Sequence, residues 1–147
     1  RAEALLYAAD RAHHVETVIK PALATQTVVI TDRYIDSSVA YQGGGRVLSG
    51  QEIARISRWA TDGLTPTLTI LLDLPAQIGF GRFAERDRLE SEPLDFHERV
   101  RSTFLERAAL YSDRYLVVDA TQSKEDISAQ ILERVLRLNS ISRLKDK

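Results

Sequence analysis

The chain has 147 residues, of which 44% are hydrophobic and 28% are charged, a balance typical of one soluble globular domain with a buried core. Twenty basic and twenty-one acidic side chains give a formal charge of -1, which excludes the basic surface of a duplex-binding protein and a polybasic membrane anchor. The absence of cysteine excludes disulfides, thiolate zinc sites and cysteine nucleophiles and fits a reducing cytosol, so we expect a cytoplasmic protein. From the near-neutral charge we expect no nucleic-acid or membrane partner.

The first half of the chain predicts a helix, a strand and a second helix. Residues 2–19 place apolar side chains at helical spacing, and we expect this helix to end near Pro21. The face predicted to be buried consists of Leu5, Ala9, Ala12, Val15 and Ile19. Residues 27–31, TVVIT, are β-branched and continuous, as in a buried strand. Residues 51–61 repeat the helical spacing, and Gly63 ends that helix.

The second half adds two more strands. Residues 68–74, LTILLDL, form the strongest predicted strand, and a helix follows from Pro75 to about Phe83. A last strand is predicted at residues 115–119, YLVVD. Two further helices are predicted at residues 95–111 and 124–138.

Strands that alternate with helices predict an α/β fold with right-handed βαβ units and a parallel sheet flanked by helices. We expect a single domain over residues 1–147 with a frayed C-terminal tail at residues 140–147. Ligands of such sheets bind beyond the carboxyl ends of the strands. Asp32, Asp73 and Asp119 are placed at those ends.

The segment TDRYIDSSVAYQGGGR, residues 31–46, follows the first predicted strand. Asp32 in this segment could hold a metal ion through water, and Arg33 could bind a phosphate bidentately. An N-cap aspartate beside a solvated arginine is the simpler interpretation of an isolated pair. Residues 43–45 are glycines that would end a short helix and let its backbone approach another group closely. The side chains that suit one face of that helix, and could read the edge of a base, are Ser37, Ser38, Tyr41 and Gln42.

Two other regions carry candidates. Tyr7 and Arg11 are four residues apart on the first helix, where a ring and a guanidinium could bind a planar ligand or simply stack on each other in solvent. Residues 81–101 are rich in both arginine and acidic side chains, which is typical of a solvated helix pair. The alternative is a mobile lid at about residues 82–92 that folds over polyphosphate. Its working residues would be Arg82, Arg86 and Arg88.

Four motifs in this sequence resemble the thymidylate kinases of bacteria. They are ALLYAADR at residues 4–11, DRYIDSSVAYQGGGR at 32–46, DRLE at 87–90 and VDAT at 118–121. The resemblance covers nearly the whole chain in order and spacing. It implies the P-loop nucleoside monophosphate kinase fold, transfer of the γ-phosphoryl group of ATP to dTMP with Mg²⁺, and a homodimer formed through helices.

The resemblance also implies roles in binding the acceptor, dTMP. Arg11 would hydrogen-bond the thymine, and Tyr7 stands where the family usually has a phenylalanine stacked on the base. Ser38 and Gln42 would contact the thymine edge. Tyr41 would pack under the deoxyribose, where a 2′-hydroxyl would clash.

For phosphoryl transfer, the resemblance implies that Arg33 binds the acceptor phosphate, Asp32 organises the metal site, and the lid residue Arg88 reaches the transferred phosphoryl group. These three would be the catalytic residues. The residues implied to surround ATP are Arg82, Arg88, Asp119, Ala120 and Gln122.

No Gly-x-x-x-x-Gly-Lys-Ser/Thr motif occurs in these residues, nor any methionine. In the family that loop opens the protein and cradles the ATP phosphates. The resemblance therefore implies a partial domain that lacks the phosphate loop and the first strand of the sheet, and we expect the chain as given to be inactive alone. Two alternatives stay open: a nucleotide-binding or regulatory module without phosphoryl transfer, and a P-loop kinase for another small phosphorylated acceptor.

Overall fold

A computed structural model of the protein describes residues 1–45, 49–80 and 92–138. The chain folds into two compact units, one formed by residues 1–65 with 95–104 and the other by residues 66–94 with 105–147. The elements in chain order are α1 (Ala2–His14), a π-helical segment (Val15–Ile19), α2 (Lys20–Ala24), α3 (Ile35–Ser38), a second π-helical segment (Val39–Gly45), α4 (Gly50–Ala60), β1 (Thr69–Asp73), α5 (Ala76–Phe80), α6 (Leu94–Leu110), β2 (Tyr115–Asp119) and α7 (Lys124–Leu136). None of the helices in these three ranges is both long and apolar enough to span a bilayer.

The first helical stretch continues past the point where the sequence predicts its end. The Lys20 N–H donates to the carbonyl of Val15, five residues back, and α2 then runs from Lys20 to Ala24. Pro21 lies in the first turn of α2, where its missing N–H is tolerated, and the widened turn before it leaves room for the proline ring. The predicted end near Pro21 is therefore wrong.

The buried face of α1 is also different from the predicted one. Ala4 and Ala8 are buried, whereas Leu5 is 55% exposed and Ala9 is exposed. Ala4 packs in one cluster with Val39 of the second π-helical segment and Ile53 of α4, and a small side chain lets the helices approach closely. The prediction is confirmed only further along, where Val15 and Ile19 are buried.

Residues 27–31 do not form the predicted strand. Val28 is 53% exposed and Ile30 is 91% exposed. A strand needs a neighbour to pair its N–H and C=O groups, and within the described ranges the only paired strands are β1 and β2. A β-branched composition alone does not provide that neighbour.

The second unit contains the sheet, and here the predictions are confirmed. Strands β1 and β2 are parallel, with Thr69 opposite Tyr115 and Asp73 opposite Asp119. Both carboxyl ends therefore meet at one edge, where the Ala120 N–H donates to the Asp73 carbonyl at 2.8 Å. The parallel pair with its flanking helices confirms the α/β class. The single domain stays a prediction.

The other predicted helices, at residues 51–61, 75–83, 95–111 and 124–138, agree with the structure to within a few residues at their described ends. Ser49 caps α4 by accepting from the Glu52 N–H, and Ser123 caps α7 by accepting from the Asp126 N–H. Gly63, at φ +72°, follows the end of α4 in the left-handed region, as its predicted role as a helix stop requires.

Candidate functional site

Arg11 on α1 lies against the short helix α3. Its Nη1 donates to Ser38 Oγ at 2.9 Å, and its guanidinium lies 5.6 Å from the centre of the Tyr34 ring. Burial lowers the pKa of Arg11, although the charges of Tyr34, Asp10 and Asp36 act in the opposite direction. Arginine stays protonated under any physiological condition, so a fixed cation with several N–H donors lies here.

The Tyr34 ring packs against the Arg11 guanidinium and is itself fixed by a hydrogen bond. Its hydroxyl donates to the Leu64 carbonyl at 3.2 Å, and burial raises the pKa of Tyr34. Asp36, two residues on, is 4% exposed and contributes negative charge near Arg11. Sequence reasoning missed both residues. The signal that could have found them is their position between the selected residues Arg33 and Ser38.

Arg33 adopts a backbone conformation that is uncommon for a residue with a side chain, with φ of +64°. Its guanidinium lies 5.0 Å from the centre of the Tyr41 ring. Burial acts to lower the pKa of Arg33, but a hydrogen bond with Tyr41 and the charges of Tyr41, Asp32 and Tyr7 outweigh it, so the pKa is raised. Non-glycine residues held at positive φ are concentrated at functional sites, which supports the choice of Arg33 as a ligand-binding residue.

Tyr41 belongs to an aromatic cluster. Its ring centre lies 6.2 Å from that of Phe96, at a tilt of 55°, and 6.2 Å from that of Phe104, nearly edge-on. The two phenylalanines lie on α6, about sixty residues away in sequence, so spacing could not connect them with Tyr41. Because Phe96 is buried, the cluster fixes a rigid apolar surface beside the Arg33 guanidinium.

Gln42 is 4% exposed, and its Nε2 donates to Glu3 Oε1 at 3.3 Å. Glu3 lies in the first turn of α1, and sequence reasoning missed it. Arg11 and Glu3, about two turns apart on the same helix, thus bind two members of the predicted base-reading face, Ser38 and Gln42.

The second π-helical segment includes the three glycines up to Gly45, and residues 46–48 lie outside the described residues, so the helix end that these glycines predict stays a prediction. Their close approach is to other parts of the protein. A Cβ on Gly43 would lie 2.8 Å from Gly50 Cα, and one on Gly44 would lie 2.0 Å from Thr103 Oγ1. The expected free backbone is therefore a packing surface, and glycine is needed there for space.

Asp32 is exposed and lies next to Arg33. Among residues 1–45, 49–80 and 92–138 there is no group of three or more His, Cys, Asp or Glu side chains that could hold a metal ion. This donor set does not suit a metal held by the protein alone. It does suit Mg²⁺, which is commonly bound by one or two carboxylates, water and the phosphates of a substrate.

The loop after β2 holds the other predicted residues. Asp119 Oδ1 accepts from the Thr121 N–H at 2.8 Å and from Thr121 Oγ1 at 2.7 Å. The hydrogen bond from the Thr121 side chain, followed by that from its backbone, lowers the pKa of Asp119. Gln122 Oε1 accepts from Gln130 Nε2 at 2.7 Å. With Ala120 bonded to the end of β1, the loop is fixed at the edge of the sheet where ligands of parallel sheets bind.

The described contacts do not place three of the predicted site residues, Tyr7, Arg82 and Arg88, in the site. The ring under the Arg11 guanidinium is that of Tyr34, and Tyr7 is 41% exposed on α1. Arg82 and Arg88, with the rest of the proposed lid up to residue 91, lie outside the described residues. The DRLE motif at residues 87–90 and the C-terminal tail at residues 140–147 lie outside them as well.

Comparison with known proteins gives a consistent result. A family model described as thymidylate kinase matches residues 1–131. The chain is 58% identical over 142 residues to the thymidylate kinase of Clavibacter michiganensis subsp. michiganensis, covering 94% of this chain and 67% of that protein. It is 50% identical over 138 residues to that of Cutibacterium acnes, covering 94% and 68%, and 52% identical over 132 residues to that of Bifidobacterium longum, covering 89% and 64%. The chain spans about two thirds of the length of these relatives.

Proposed function

The chain belongs to the thymidylate kinase family, which has the P-loop nucleoside monophosphate kinase fold, and from this premise we propose that the whole protein phosphorylates dTMP to dTDP with ATP and Mg²⁺. The observation that carries the proposal is the pairing of two arginines with two tyrosines in the first unit. The Arg11 guanidinium lies over Tyr34 and that of Arg33 over Tyr41, and three of these four residues belong to one short segment.

This pairing suits a nucleoside monophosphate. The Arg11 donors, which lie against Ser38, can bind a carbonyl oxygen at the edge of thymine. Gln42 would contact the same edge, and Tyr7 would stack on the base. Arg33 can bind the monophosphate through its bidentate fork. The ring of Tyr41, packed against Phe96 and Phe104, would lie under the deoxyribose and exclude a 2′-hydroxyl from the sugar.

Phosphoryl transfer needs little covalent chemistry from the protein, because catalysis rests on positioning and on neutralising charge. An oxygen of the acceptor phosphate attacks the γ-phosphorus of ATP, the bond to the β,γ-bridging oxygen breaks, and ADP leaves. Arg33 orients the attacking phosphate, Asp32 would hold Mg²⁺ through water, and Arg88 would bind the transferred group. Arg82, Asp119, Ala120 and Gln122 would contact the adenine end of ATP.

The proposal includes a cytoplasmic homodimer that acts in dTTP synthesis. Family membership supports the homodimer and the role in dTTP synthesis, and the absence of cysteine fits a reducing compartment.

Acceptor profiling of the full natural chain that carries this sequence tests the function. ATP-dependent turnover is measured with dTMP, dCMP and UMP as acceptors, and we expect the largest kcat/KM for dTMP. Faster phosphorylation of dCMP or UMP would show a kinase for another acceptor. Tight dTMP binding without turnover would show a nucleotide-binding module instead.

A further inference from the structure

The Glu3–Gln42 hydrogen bond joins two polar side chains that are far apart in the sequence. The residues are 39 positions apart, one in the first turn of α1 and the other in the second π-helical segment. Gln42 is 4% exposed, so its amide is held in one environment and cannot rotate freely in solvent. A buried amide of this kind affects what can bind beside it.

The partner decides how the Gln42 amide is oriented. An amide has a donating NH₂ end and an accepting carbonyl end, which have nearly the same shape and are told apart by their hydrogen-bond partners. Here the chemistry leaves no ambiguity, because an ionised carboxylate accepts hydrogen bonds and cannot donate them. The NH₂ end of Gln42 therefore faces Glu3, and the carbonyl end lies on the opposite side of the amide carbon.

A Gln42 amide with its carbonyl toward the base would bind thymine and cytosine differently. Thymine carries a hydrogen on N3, next to the acceptor O4, whereas cytosine has an acceptor at N3 and an amino group in place of O4. A Gln42 carbonyl complements the thymine N3–H, and the Arg11 donors complement O4. Against cytosine, the carbonyl would meet a lone pair and the guanidinium would meet an amino group.

We infer that Glu3 is a specificity-determining positioning residue, which fixes the Gln42 amide with its carbonyl toward the base and so favours thymine over cytosine. The inference rests on the proposed function, since it deepens the account of the same acceptor site. Glu3 acts through Gln42 and does not itself touch the substrate.

Glu3→Gln tests the inference in the full natural chain. The substitution keeps the size of the side chain but replaces an obligate acceptor with an amide that can either donate or accept, so Gln42 can turn. We expect the ratio of kcat/KM for dTMP to that for dCMP to fall about tenfold, as when a polar group specific for one substrate loses its orientation. The ratio is independent of the fraction of protein that is folded, because both substrates are measured in one preparation.

Two further variants separate positioning from general disturbance. Glu16→Gln makes the same chemical change on an exposed residue of the helical stretch, where Glu16 pairs with Lys20, and should leave the ratio unchanged. In a Gln42→Ala background, Glu3→Gln should have no further effect on the ratio. An unchanged ratio in Glu3→Gln, or an equal loss in the Gln42→Ala background, would overturn the inference.

Calorimetric titration with dTMP and dCMP, without ATP, separates failure of this inference from failure of the proposed function. If the parent chain does not turn over dTMP, the proposed kinase activity is wrong, and the binding ratio still tests Glu3. If the parent chain turns over dTMP and its binding ratio does not change in Glu3→Gln, only the role of Glu3 is wrong.

Discussion

The Nη1 atom of Arg11 lies 2.9 Å from the Oγ atom of Ser38, 27 residues later in the chain. Because a guanidinium only donates, the serine oxygen accepts this hydrogen bond, and the serine hydroxyl keeps its own hydrogen as a donor. Ser38 is buried, so the bond forms in a setting where water competes poorly.

Replacing Ser38 by Ala should destabilise the protein by about 1–3 kcal/mol, because a partly buried charged donor loses its acceptor. Urea unfolding of the full natural chain measures the loss. Ser37→Ala is the matched control, since the neighbouring serine is more exposed, and it should change the free energy of unfolding by less than about 0.5 kcal/mol. Equal effects of the two substitutions would contradict the importance of the Arg11 bond.

Replacing Arg33 by Ala should weaken dTMP binding by at least about 2 kcal/mol, as expected for the loss of a charge-assisted contact with phosphate. Isothermal titration calorimetry with dTMP measures this change. Arg55→Ala removes an exposed arginine of α4 and should leave the affinity unaltered. If dTMP bound to the Arg33 variant as tightly as to the parent protein, the assignment of the acceptor phosphate would be wrong.

The sheet strands and the later helices were predictable because their signals are local. Residues 115–118 form an unbroken apolar run that is largely β-branched or aromatic, and β2 has the predicted bounds, 115–119. The face of α1 was not predictable in the same way, because Ala4 and Ala8 have the same spacing as Leu5 and Ala9. Which stripe is buried depends on how closely α4 approaches, and that is a tertiary property.

In the candidate site, too, some residues could be predicted from the sequence and others could not. Arg33, Ser38, Tyr41 and Gln42 could be selected because they lie in one segment of 16 residues that is rich in polar and aromatic side chains. Their partners could not be selected from spacing, since Glu3 and Phe96 are dozens of residues away. Long-range packing orients each chosen side chain, and no local pattern in the sequence encodes it.

Replacing Arg88 by Ala should lower kcat with little change in dTMP affinity, because a lid arginine acts on the transferred phosphoryl group and does not bind the acceptor. Steady-state kinetics combined with dTMP titration separates the two quantities. Arg33→Ala is the contrasting variant, since it should weaken dTMP binding directly. An equal loss of turnover and dTMP binding in the Arg88 variant would mean that Arg88 is not a lid residue.

Replacing Gly44 by Ala should destabilise the protein by about 1–3 kcal/mol through overpacking. The new Cβ would lie 2.0 Å from Thr103 Oγ1 and 2.9 Å from Thr103 Cβ, so α6 or the π-helical segment must shift. Thermal and urea unfolding measure the change. Adding Thr103→Ala should recover part of the loss, because it removes the atom that is nearest.

Gly79→Ala is the control for that substitution. A Cβ there would meet Leu74 Cδ2 at 3.5 Å, an ordinary contact, and Gly79 lies inside the helix α5. Alanine should therefore be neutral or stabilise by up to about 1 kcal/mol. Equal destabilisation at Gly44 and Gly79 would rule out the steric explanation.

Replacing Thr121 by Val should raise the pKa of Asp119 toward its ordinary value of 3.8. The valine removes the hydroxyl that donates to Asp119 Oδ1 but keeps the backbone N–H donor, so the return should be incomplete. Because the pKa is lower in the folded state, the stabilisation is fully present above pH 3.8 and is lost as the pH falls through the folded value. The variant should therefore lose less stability than the parent protein on acidification.

Carboxyl ¹³C titration measures the pKa of Asp119 directly. Thr25→Val, which removes a hydroxyl bonded to the Ala22 carbonyl, is the control and should leave that pKa unchanged. An Asp119 pKa that stayed low in the Thr121 variant would show that the side-chain hydrogen bond is not its main cause.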